Sequence, residues 1–220
     1  MNFFTNNFLG RFMNWLANIV ILHFLWVIFS LPLFTIGAST TALYYALMKW
    51  IRRDEGYIHT NFIKAFKTNF KQSTILWIII VLVGFILWLD LRIGILTNLN
   101  TPNSPMGKIL IVISIILMIP FGFICTYIFP VQAKFENKII ANLKNSLLMA
   151  IGHLGYTLLI FIFLLSFVFL SFISRIFIGI ILVCGMGLYG YITANIFIAI
   201  FRKHLPDELD DDIEASGIDN

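Results

Sequence analysis

Apolar residues fill this chain in long runs separated by short polar stretches, and the run lengths decide its class. Residues 15–32, 75–96, 109–130 and 154–173 each hold about 18 or more mainly apolar positions, enough for an α-helix to cross the hydrocarbon core of a bilayer. Residues 176–201 make a fifth such run. Residues 36–50 are shorter and follow the Leu31-Pro32-Leu33 break, which either ends one helix or opens a re-entrant turn. Taken as a crossing, they bring the count to six spans; otherwise it is five.

Two polar connections carry helical periodicity. In residues 58–71, Ile58, Phe62, Phe66 and Phe70 recur every four positions, while Lys64, Lys67 and Lys71 fall on the opposite side. This pattern predicts an amphipathic helix on the cytoplasmic membrane surface, its three lysines facing lipid headgroups. In residues 134–148, Ile139, Leu143 and Leu147 repeat the spacing and predict a second one. The plan is then hairpin, basic helix, hairpin, basic helix, hairpin, a degenerate repeat. The fold class is an all-α polytopic membrane bundle of residues 1–205, followed by an acidic, disordered cytoplasmic tail over residues 206–220.

Charge sets the orientation. Lys49, Arg52, Arg53, Lys64, Lys67 and Lys71 cluster between two apolar runs, and such clusters stay cytoplasmic. With six spans, Arg11, Lys134, Lys138, Lys144, Arg202 and Lys203 join them, placing twelve of the fifteen basic residues inside. Only Arg92, Lys108 and Arg175 face outward, and both termini are cytoplasmic. The uncharged start and the long run after Arg11 predict a retained signal anchor rather than a cleaved leader. The expected home is a bacterial cell membrane.

With 60% hydrophobic and 12% charged residues, a formal charge of +4 and mean hydropathy +0.92, the apolar surface exceeds what one soluble core hides. The basic residues sit beside apolar runs, which points to the anionic inner leaflet rather than to nucleic acid. Cys125 and Cys184 lack any metal or redox spacing and read as small packing residues. No P-loop, zinc motif or nucleophile elbow occurs, so neither a cofactor nor enzymatic chemistry is expected.

Polar residues inside apolar runs are the remaining candidates. Asn14, Asn18 and His23 in the first run and Asn195 in the last are either helix-joining hydrogen-bonders or the lining of a solute passage. Asp90 and Arg92 cannot face each other at i and i+2, so any pairing must involve another helix, such as the one near Arg175. Ala38, Ala42 and Ala46, and Gly187, Gly190 and Ala194, form small-residue faces suited to close helix packing, either internal or against a partner.

Asn18, the stretch Leu31-Pro32-Leu33-Phe34-Thr35-Ile36-Gly37-Ala38, then Thr41-Ala42-Leu43-Tyr44-Tyr45, Glu55-Gly56-Tyr57, Phe62 and Ala65-Phe66-Lys67-Thr68-Asn69-Phe70-Lys71-Gln72 resemble the YesL-like family of bacterial membrane proteins. The resemblance is strongest over residues 14–80. Genes of this family often lie beside carbohydrate importers and glycan-degrading enzymes, which implies an accessory role in sugar uptake. The expected function is thus an interaction subunit of an ABC-type carbohydrate importer, with a small-solute transporter or channel as the alternative.

Overall fold

The computed structural model describes residues 8–52, 57–101, 105–135 and 137–203. The acidic segment 206–220, together with Arg53, Glu55 and Gly56, lies outside them. Every regular element among the described residues is helical: α1 (Phe8–Ser30), a 3-10 turn (Leu33–Thr35), α2 (Ile36–Ile51), α3 (Ile58–Asn100), α4 (Pro105–Lys134), α5 (Ile139–Gly152), α6 (Leu154–Ile173) and α7 (Arg175–Arg202). Five of these, α1, α3, α4, α6 and α7, are long and apolar enough to cross a membrane. The lower of the two expected counts is therefore the number of long apolar helices.

Helix α2 is different in kind. Its 16 residues rise only about 24 Å, and Ala38, Ala42, Leu43, Ala46 and Leu47 are fully buried. It is the central strut of the bundle, packed on α3 and touching α1, α4 and α7. The turn that delivers it follows from sequence. Pro32 cannot continue α1 and holds extended backbone (φ −74°, ψ 109°). The Thr35 hydroxyl then lies 2.6 Å from the carbonyls of both Phe29 and Pro32, supplying one shared donor to the free acceptors at the end of α1. Gly37 is required next, because a Cβ there would lie 2.5 Å from the Ser73 carbonyl and 2.6 Å from Trp77 Cβ.

The expected surface helix over residues 58–71 is not a separate element. It forms the first turns of α3, a single helix of 43 residues, about 64 Å long against a hydrocarbon core of about 30 Å. Nothing in Lys71-Gln72-Ser73-Thr74 breaks a helix, so the amphipathic and apolar segments fuse. Its aromatic stripe turns toward protein as well as lipid: Phe62 is fully buried, and Phe62 and Phe66 stand edge-on to Phe29. The second basic helix does form, as α5, but it buries Asn142, Ser146 and Ala150. Ile139 and Leu143 pack only partly against the core. One fused and one free helix do not make the matched repeat expected from the spacing.

Helices α3 and α4 form an antiparallel hairpin, with Asn98 against Gly107, Gly94 against Ile111 and Gly84 against Phe121. Helices α6 and α7 form a second, through Phe163 on Tyr189 and Phe167 on Phe177. The hairpins meet around Tyr127, whose hydroxyl lies 2.8 Å from that of Thr157 and whose ring abuts Phe197. Contacts of Phe123 with Phe161 and of Phe135 with Phe201 flank this junction. Toward the hairpin tips, large apolar side chains such as Ile86, Ile116, Leu165 and Phe169 are exposed. That is the surface expected where the surroundings are lipid.

Candidate functional site

The four polar residues singled out from sequence do not come together. Asn14 and Asn195 are exposed and Asn18 is half-buried. Asn195 donates to the Tyr191 carbonyl of its own helix at 2.7 Å. Only His23 is buried, and its role is specific. Nε2 lies 3.0 Å from the Leu182 carbonyl and Nδ1 accepts the Met186 amide at 3.1 Å. Residues 182 and 186 are i and i+4, so the imidazole of α1 bridges a donor and acceptor of one turn of α7. The tautomer carrying its proton on Nε2 satisfies both contacts.

Both small-residue faces are consumed inside the molecule. Ala38, Ala42, Ala46 and Ala194 are fully buried. A Cβ on Gly187 would lie 2.3 Å from the Ile19 carbonyl, and one on Gly190 would lie 2.9 Å from Leu47 Cδ1. These faces lock α1, α2 and α7 together and leave no open small-residue groove there. Lys64, Lys67 and Lys71 are exposed along the first turns of α3.

A polar cluster that sequence reasoning missed ties the basic ends of α3, α4 and α5. Gln132 Nε2 donates to Asn69 Oδ1 at 3.2 Å, while Asn142 Nδ2 donates to Gln132 Oε1. Gln72 Nε2 donates to the carbonyl of Asn137, just before α5, and Asn69 Nδ2 to the Ala65 carbonyl at 3.2 Å. Asn142 and Ser146 are fully buried, and among the described residues nothing pairs with Asn142 Oδ1 or Ser146 Oγ. The available signal was the i, i+4, i+8 series Asn142, Ser146, Ala150, together with a lone Gln132 between Val131 and Ala133. Hydroxyl pairs extend the polar interior: Ser73 to Thr41 at 3.0 Å and Tyr44 with Thr193 at 3.0 Å.

At the other end of the α3–α4 hairpin, Ser114 donates to Asp90 Oδ2 at 2.6 Å and also approaches the Leu110 carbonyl at 2.9 Å. Arg92 turns away and lies over the Trp88 ring, 5.9 Å from its centroid. Among the described residues no group of three or more His, Cys, Asp or Glu side chains is placed to hold a metal ion. Cys125 and Cys184 are free thiols.

A family described as "Protein of unknown function, DUF624" matches residues 19–91. The chain is 27% identical over 157 residues to "Uncharacterized protein YesL" of Bacillus subtilis (strain 168), covering 70% of this chain and 71% of that protein. It is 28% identical over 201 residues to "Uncharacterized protein YteU" of the same organism, covering 88% of this chain and 85% of that protein. No solved structure matches at a significant level. The matched segment 19–91 builds the α1–α2 turn, the buried strut and the α2–α3 seam. The family match overlaps residues 14–80, which carry the likeness, and together with the two relatives it makes the chain similar to the YesL-like membrane proteins.

Proposed function

We propose that this protein is a non-enzymatic interaction subunit of a bacterial cell membrane, accessory to a carbohydrate importer of the ABC type. One observation carries the interaction reading: the small-residue faces, His23 and the polar pairs are all spent on internal packing. What remains on offer is the apolar surface of two hairpin arms. A partner's membrane helices would pack against these arms, not against the Ala38/Ala42/Ala46 and Gly187/Gly190/Ala194 faces. The importer as partner rests on the family resemblance alone. The exposed lysines Lys64, Lys67 and Lys71 would meet the anionic inner leaflet, each contributing about 1 kcal/mol near a charged surface.

The transporter reading has one observation in its favour, the unpaired Asn142 Oδ1 and Ser146 Oγ, which are polar groups suited to a neutral solute. A single pair of experiments separates the two. Purified from native membranes in mild detergent, the chain should bring a carbohydrate importer's membrane subunit with it and should move no sugar in liposomes. Sugar uptake by the chain alone, abolished by Asn142→Leu, would reverse the assignment.

A further inference from the structure

Anionic and cationic side chains are segregated in this protein. Seven of its eleven carboxylates fall between Asp207 and Asp219, in the segment that follows α7. Among the described residues Asp90 is the only carboxylate side chain. It lies 19 residues beyond Lys71 on the same helix, about 28 Å away, and is bonded to Ser114. Lys64, Lys67 and Lys71 on α3, with Lys138 and Lys144 at α5, are all exposed.

The amide cluster draws these five lysines into one surface. Gln132 binds Asn69, which lies between Lys67 and Lys71, and also Asn142, which lies between Lys138 and Lys144. Gln72 bonds the carbonyl of Asn137, next to Lys138. Like charges gathered this closely create a positive potential, and among the described residues no carboxylate stands beside them to relieve it.

Helix α7 delivers its C-terminal end to the same place. The ring of Phe201 meets that of Phe135 edge-on, 5.4 Å between centroids, and Phe135 stands three residues beyond Gln132. Asp207 follows Lys203 by only four residues. Ile213, amid the acidic residues, is ten residues from Lys203 and can reach up to about 33 Å from it. From Phe201 to Asn69 the route is shorter: one ring contact, about one helical turn and a hydrogen bond of 3.2 Å.

We propose that residues 207–219 dock on this lysine face of their own chain, an internal counter-charge that competes with anionic lipid for Lys64, Lys67 and Lys71. One exposed ion pair contributes little, but covalent tethering raises the effective concentration of the acidic segment, and several pairs act together. Where the leaflet is poor in anionic lipid, the segment shields the lysines; where it is rich, headgroups displace it. This goes beyond the interaction-subunit reading and requires no importer.

The test uses the full chain in nanodiscs of zwitterionic lipid, with Cys125→Ala and Cys184→Ala. Thr68→Cys on the lysine face and Ile213→Cys, treated with a short bifunctional thiol reagent at low salt, should give a monomer-sized internal crosslink. Its yield should fall severalfold at about 1 M salt, where charges are screened beyond about 3 Å. Asp210→Asn, Asp211→Asn and Asp212→Asn together should lower it comparably, and so should nanodiscs rich in anionic lipid. A yield indifferent to salt and to the Asn substitutions reflects tethering without docking and overturns the proposal. Equal crosslinking to Thr101→Cys, at the far end of α3, also overturns it, and an unchanged yield on anionic nanodiscs overturns the competition with lipid.

Discussion

His23 Nδ1 accepts the backbone amide of Met186 at 3.1 Å, joining the first and last helices across 163 positions of sequence. The same ring reaches the Leu182 carbonyl, so one side chain supplies a donor and an acceptor to one turn of its neighbour. His23→Phe keeps most of the volume and removes both bonds. Polar links between membrane helices are worth roughly 0.6–2 kcal/mol, and a loss of that size is expected in a detergent unfolding titration, with insertion unchanged. An unaltered midpoint would show that α7 restores its own i, i+4 bond at no cost.

The two glycines of α7 should behave differently. At Gly187 the obstacle to a Cβ is the backbone carbonyl of Ile19, which cannot step aside, whereas at Gly190 it is the flexible end of Leu47. Gly187→Ala should destabilise by about 1–3 kcal/mol as an overpacked contact, and Gly190→Ala by clearly less. Thermal scans of the two purified variants decide it; equal midpoints would contradict the close approach of α1 to α7.

What was legible in the chain was whatever depends on local pattern. The apolar run lengths located the five long helices, and the Pro32 break located the start of α2. The alanine stripe of α2 correctly signalled close packing, yet spacing cannot say whether the second surface belongs to the same chain. Residues 58–71 are helical with their lysines exposed, as the spacing predicts, but amphipathicity measures only a contrast between faces, and Phe62 and Phe66 find that contrast against Phe29 as well as in lipid. Asn195 and Asn142 look alike in sequence; one is exposed and bonds its own helix, the other is buried against Gln132. Only the crossing of α4 and α5 distinguishes them.

The amide cluster gives a test of that crossing. Gln132 stands between Asn69 and Asn142, so Gln132→Leu leaves the fully buried Asn142 amide without its partner and takes the donor from Asn69 Oδ1, while Asn69 keeps its bond to the Ala65 carbonyl. An unsatisfied buried polar group costs about 1–3 kcal/mol, and the single variant should lose stability on that scale. Combining it with Asn142→Leu removes one of the stranded groups and should recover part of the loss. A double-mutant cycle on unfolding free energy measures the coupling; simple additivity would mean the cluster does not act as a unit.

The position of α2 bears on how many times the chain crosses the membrane. Thr41 accepts from Ser73 at 3.0 Å and Gly37 abuts both Ser73 and Trp77, so α2 runs antiparallel beside the first half of α3. Helix α1 in turn runs antiparallel to α7, with Trp15 on Tyr191, Ile19 at Gly187 and His23 at Met186, so α1 starts at the end of the bundle where α7 finishes with Arg202. The expected topology is therefore the one that keeps Arg11 with the other basic residues on the inner side. With Cys125 and Cys184 replaced, a cysteine at Thr101 should react with an impermeant thiol reagent in intact cells, and cysteines at Leu9 and Asn69 should not. Labelling at both Leu9 and Thr101 would instead show five crossings, and labelling at Asn69 with protection at Thr101 reverses the orientation altogether.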